Sequence, residues 1–285
     1  MEHSEASYQI IVDLLFERTG QHLAKSRQWR LGSALSEIFR KHGIKNLDQL
    51  VCLLDAPQSH AKHGDLATEV VEALLNNETY FFRDKPTFDQ IPQFVLPQLR
   101  ERRAHTRHLS IWCAGCSTGQ EVYSLAMLFE EQKELWEGWT INLLGTDISH
   151  GAIKTAKAGI YGQFEIQRGL GVGQMLAHFT NTSGGWQVSE KLRQNTRFGI
   201  HNLLNQPPGR STFDLILCRN VLLYFGAGNR KLALQRLAKA LARDGFLMLG
   251  NGETASVSGA GFALSPERAS IFEINPQKRE TVNAA

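Results

Sequence analysis

Apolar residues recur at helical spacing from the start of the chain. Ile10, Ile11, Leu14 and Leu15 form one such set, Leu31, Leu35, Ile38 and Phe39 a second, and Val70, Val71, Leu74 and Leu75 a third. Gly20, Gly43, Pro57 and Gly64 fall between the sets as breakers. Residues 1–84 therefore read as an all-helical domain of a few short helices. The rhythm then changes. Pro86, Pro92 and Pro97 punctuate a stretch expected to link two domains over 85–108, which ends in the basic run Arg100 to Arg107, read as a solvated helix end. From Leu109 onward short apolar runs take over. Leu109 to Cys113, Ile141 to Leu144, Arg197 to Ile200, Phe213 to Cys218 and Phe246 to Leu249 read as strands. Helical patterns lie between them, through Val122 to Phe129 and Lys231 to Leu241. Strands alternating with helices predict a parallel α/β sheet over 109–285, with ligands at the carboxyl ends of its strands. Residues 161–196 break the alternation and are rich in glycine, which predicts an inserted subdomain. Within it, Gln187 to Ser189 and Lys191 to Arg193 alternate weakly, as short exposed strands do. Beyond Pro276 the polar tail reads as frayed.

Composition narrows the class without choosing a function. The 285 residues are 42% hydrophobic and 21% charged, which fits a globular core and excludes wholesale disorder. Lys and Arg number 31 against 28 Asp and Glu, so the net charge of +3 gives no sign of a nucleic-acid or membrane-surface binder. No apolar run reaches the roughly 18 residues of a membrane span. The first ten residues, MEHSEASYQI, do not pattern as a secretory signal, and a cytoplasmic location is expected. Four cysteines are too sparse for a disulfide scaffold. Cys113-x-x-Cys116 lacks the further ligands a tetrahedral metal site wants, so no metal is expected.

Candidate chemistry clusters at the predicted strand ends. Ile111 to Glu121 reads as strand, glycine turn and helix, with Gly115 letting a ligand approach the backbone and the helix start offering N–H groups. Its Gly-x-x-x-Gly spacing is not the Gly-x-Gly-x-x-Gly of nicotinamide enzymes. Asp147 ends the next strand, where a carboxylate can hold both ribose hydroxyls of a nucleoside cofactor. Asn202 and Leu203 follow a later strand and suit the reading and covering of an adenine. Arg219 and Asn220 end another strand, with Tyr224 close behind.

Taken together, Asn77 to Asp84 (NETYFFRD), Cys113 to Glu121, Gly145 to Ile148 and Cys218 to Phe225 (CRNVLLYF) resemble the chemotaxis receptor methyltransferases, the CheR family. The resemblance spans residues 8–275. It implies a Rossmann-like class I methyltransferase sheet, an N-terminal helical domain and a small inserted antiparallel β-subdomain. It implies S-adenosylmethionine as cofactor, S-adenosylhomocysteine as product, and chemoreceptor glutamates as substrate. Position by position it implies cofactor contacts from Asn77, Thr79, Arg83, Glu121, Asp147, Asn202, Leu203, Arg219 and Asn220, in addition to the Gly115 turn. Arg83 and Tyr224 match the residues placed beside the transferred methyl. A glutamate side chain, with an ordinary pKa near ~4.3, is already ionised at neutral pH, so its transfer needs no general base. Lys25 to Lys45 carries a local net charge of +5, and Lys25, Arg27, Arg30, Arg40 and Lys41 are candidates for docking an acidic receptor helix. The hairpin near Asn181 to Trp186 is short, and a receptor-tail pentapeptide tether is not expected. A monomer is expected, acting on the cytoplasmic helices of chemoreceptors.

Overall fold

A computed structural model describes residues 4–23, 29–55, 66–209, 212–255, 261–265 and 268–275. Pro57, Gly64, Lys25, Arg27 and the tail beyond Pro276 lie outside the described residues. By its internal contacts the chain divides into two units. One comprises residues 1–76 with Tyr224–Gly226, and the other the remainder.

The first unit is helical. Its opening helix, Glu5–Thr19, starts at Ser4, whose hydroxyl accepts the Ser7 N–H at 3.1 Å. It stops at Gly20, whose left-handed backbone returns an N–H to Phe16. Helices Arg30–Ala34, Ser36–His42, Leu47–Asp55 and Leu66–Leu74 follow. Ile11, Leu35, Leu50 and Val70 meet at the centre of the unit with essentially no exposure.

The second unit is built on a seven-stranded sheet. Its strands are β1 (His108–Ala114), β2 (Thr140–Asp147), β6 (Thr196–Ile200), β7 (Phe213–Cys218), β8 (Leu241–Leu249), β9 (Phe262–Leu264) and β10 (Ile271–Ile274). They lie in the order β6-β2-β1-β7-β8-β10-β9. The first five are parallel, and β10 runs antiparallel to both β8 and β9. β7 is buried at every position, which is why its sequence is a nearly unbroken apolar run rather than an alternation. The helix Gln120–Glu131 buries every residue from Val122 to Phe129. This is the class I methyltransferase fold that the motifs imply. The insert is there as well: β3 (Ile160–Tyr161), β5 (Gly185–Val188) and β4 (Phe179–Thr182) form a separate antiparallel sheet in the order β3-β5-β4.

Two local readings of the sequence need correction. Lys191 to Arg193 is not a strand but part of a helix, Glu190–Gln194, which buries only Leu192. A three-residue alternation with one apolar side chain cannot tell the two apart. The proline-punctuated stretch is largely helical: Lys85–Phe88, a wide turn at Ile91–Val95, and Leu96–Arg102. Each proline falls in the first turn of its segment, where the missing N–H breaks no bond. Phe88, Ile91, Val95 and Leu99 join the core beneath the sheet, so this stretch belongs physically to the second unit.

Candidate functional site

β1 is the switch point of the sheet, with β2 on one side and β7 on the other. Ligands of open α/β sheets bind in the crevice at such a point. The turn after β1 is held by β2, because the N–H groups of Gly115 and Cys116 both donate to the Thr146 carbonyl, at 2.8 and 2.9 Å. Gly115, Ser117 and Gly119 all have positive φ, of 80°, 50° and 95°. A Cβ on Gly115 would lie 2.4 Å from a methyl of Val221, so the glycine admits the turn that follows β7. The missing side chain thus leaves room for that valine. The helix Gln120–Glu131 starts at Gly119 with no side chain capping it.

Asp147 ends β2 and is only 9% exposed. One carboxylate oxygen accepts the Ser117 N–H at 2.8 Å, and the other accepts the Ser149 N–H at 2.9 Å. The acid therefore fixes the glycine turn and its own turn together. Asn77 joins the same turns. Its carbonyl accepts the Ser117 hydroxyl at 2.7 Å, and its amide donates to the Ser149 hydroxyl at 3.3 Å. Asn202 and Leu203 follow β6, whose end is tied to Asp147 by a bond from the His201 N–H to the Asp147 carbonyl. Asn202 accepts the Leu204 N–H within its own turn, and Leu203 is 7% exposed.

Arg219, past the end of β7, is almost wholly enclosed, its side chain 1% exposed. It donates to Glu121 at 2.8 Å, to the Arg83 carbonyl at 2.7 Å and to Asp84 at 3.2 Å. Two of the predicted cofactor contacts thus pair with each other. Asn220 has φ of 60°, its N–H donates to Glu253 at 2.7 Å, and its side-chain oxygen is buried without a hydrogen-bond partner. Arg83 is half-buried, donates to the Glu78 carbonyl at 2.8 Å, and has an unpartnered buried Nε. Thr79 is half-buried on the same loop.

The structure therefore brings Asn77, Gly115, Asp147, Asn202 and Leu203 around the ends of β1, β2 and β6. Glu121, Arg219, Asn220 and the Arg83 backbone gather past the end of β7. Tyr224 groups with the helical unit, where its hydroxyl accepts the Asn76 amide at 2.5 Å and its carbonyl accepts the His22 N–H at 2.8 Å. Of the basic docking candidates, Arg30 and Arg40 are exposed, while Lys41 is paired with Glu69 at 2.8 Å. Cys113, Cys116 and Cys218 are buried and unlinked, and burial pushes all three thiols well above their ordinary range.

Sequence reasoning missed Glu253. Its carboxylate accepts the N–H groups of Asn220, Gly250 and Leu223, and so shapes the turn after β7. Gly250-Asn251-Gly252-Glu253 follows β8 at the carboxyl edge, so the rule that picked Asp147 applied here too.

A buried Asn220 oxygen without a partner, a turn of left-handed residues at a switch point and a carboxylate at the neighbouring strand end together fit a nucleoside cofactor. Comparison with known proteins agrees. The model of the "CheR methyltransferase, SAM binding domain" matches residues 77–269. The chain is 33% identical to chemotaxis protein methyltransferase 1 of Pseudomonas aeruginosa, over 89% of this chain and 92% of that protein. It is 33% identical to chemotaxis protein methyltransferase Cher2 of Pseudomonas putida, over 81% and 84%. It is 31% identical to chemotaxis protein methyltransferase 1 of Vibrio cholerae, over 88% and 90%.

Proposed function

The chain belongs to the CheR methyltransferase family, and from that premise we propose that it esterifies glutamate side chains on the cytoplasmic helices of chemoreceptors. The cofactor, S-adenosylmethionine, supplies a methyl on a positively charged sulfur. The product would be a glutamyl methyl ester, with the C–S bonding pair left on the sulfur of S-adenosylhomocysteine.

Each residue's part follows from its chemistry. Asp147 would hold the ribose hydroxyls, and Asn202 and Leu203 the adenine. Asn77, Thr79, Gly115 and Asn220 would supply polar and backbone contacts. Glu121 and Arg219, bonded to each other, would contact the cofactor as well. The receptor carboxylate arrives ionised, so what remains is to align it and strip its water. Arg83 suits the alignment as a charge-assisted partner. Its grip has to orient without neutralising, because a tightly paired carboxylate is a poorer nucleophile. Tyr224 is the second catalytic group in this reading, donating a hydrogen bond near the reacting atoms.

One observation carries most weight: the residues matched by the cofactor-binding family model include a strand-end acid, Asp147, and a buried unpartnered amide oxygen on Asn220. The test incubates the protein and methyl-labelled cofactor with receptor-rich membranes. Base-labile label on receptor bands is expected, and Arg83→Ala is expected to lower its rate far more than it lowers the melting temperature. Cofactor binding with no transfer to any receptor would point instead to a regulator without turnover.

A further inference from the structure

The loop 77–84 carries Asn77, Thr79 and Arg83, and it has two kinds of anchor. At its ends it is bonded to the sheet's turns, through Asn77 on Ser117 and Ser149 and through Arg219 on residues 83 and 84. Its middle is held by the inserted subdomain. Arg168, just past the inserted helix Gln163–Gln167, donates to the Glu78 carboxylate at 2.8 Å. The same guanidinium lies 4.2 Å over the Tyr80 ring. Arg83 sits 5.6 Å from that ring and bonds the Glu78 carbonyl, so two arginines hold opposite ends of one residue. The next residue, Gly169, has φ of 96°, and a Cβ there would come within 1.9 Å of the Phe81 carbonyl oxygen. The Phe81 ring in turn packs edge-on against Tyr161 and Phe179 of the insert, at 5.1 and 5.4 Å.

We infer that Arg168 is a positioning residue for methyl transfer: through Glu78 and Tyr80 it sets the loop that presents Arg83 and Asn77. This rests on the reading of that loop as part of the transfer site. The ion pair alone is too exposed to matter for folding, with Arg168 and Glu78 side chains 52% and 53% accessible. Its effect is local. A planar guanidinium can bond a carboxylate and stack on a ring at once, which an ammonium cannot do. The insert thereby acts on the site from outside the sheet.

The test uses the full chain and S-adenosylhomocysteine calorimetry, beside receptor methylation. Arg168→Ala is expected to leave the melting temperature within about 2 °C of the unaltered protein. It is expected to raise the dissociation constant roughly three- to tenfold, the scale of one or two lost polar contacts. Arg168→Lys keeps the charge but loses the stack, and should fall between the two. Phe164→Ser, at an 89% exposed position on the same inserted helix, should bind as the unaltered protein does. Affinity within twofold of unaltered for both Arg168 variants would overturn the inference. Should the alanine variant fail to fold, the lysine variant decides alone. Failure of receptor methylation in a protein that still binds S-adenosylhomocysteine would sink the proposed substrate, while the calorimetry still reads Arg168.

Discussion

At the scale of single residues, Asp147 shows what a position in the sequence can and cannot disclose. An acid at the end of a predicted strand is a candidate for a ribose contact. The two backbone N–H groups it accepts, from Ser117 and Ser149, come from turns that no spacing rule pairs with it. Asp147→Ala is expected to weaken S-adenosylhomocysteine binding by about 1–3 kcal/mol, the range of a charged hydrogen bond. A titration at equal affinity would remove Asp147 from the site. Glu253 escaped notice for a similar reason. Its three bonds reach residues up to 33 positions away along the chain, and nothing in Gly250 to Glu253 names those partners.

Among elements, the ends of β1 and β7 are joined by charge buried between them. Glu121 begins the helix after β1, and Arg219 leaves β7, so their bond ties the two turns that flank the crevice. Removing one partner of a buried pair strands the other charge, at a cost on the order of 3 kcal/mol. Glu121→Ala should therefore lower the urea midpoint, with the slope unchanged, by an amount equivalent to about 3 kcal/mol of stability. A shift below about 1 kcal/mol would mean that Asp84 and the Arg83 carbonyl suffice for Arg219. The central strands were legible because burial on both faces demands unbroken apolar runs. The helix Glu190–Gln194 was not, since five residues with one buried leucine carry no period. Of the helices over 85–102 only the basic end was legible, because the prolines read as breaks until each is seen to sit in a first turn.

For the whole molecule, the order β6-β2-β1-β7-β8-β10-β9 puts the glycine turn at the reversal of strand order, the place where open α/β sheets bind ligands. In the insert, β4 and β5 are four residues each and joined by a tight turn, a short platform for an added peptide strand. A receptor-tail pentapeptide titrated into the protein is accordingly expected to give no specific heat; a saturable, sequence-specific signal would contradict this. The sequence by itself determined the helical first stretch, the five parallel strands of the sheet though not its antiparallel edge, the glycine turn, the strand-end acid and the family, because apolar period, turn residues and motif order are local properties of a chain. Only the tertiary structure decided that Val221 fills the space beside Gly115, that Arg219 is enclosed with Glu121, that Glu253 holds Asn220, and that Arg168 reaches across to Glu78 and Tyr80. Those are bonds between residues distant in sequence, and the folding of the sheet and its insert is what brings their atoms within range.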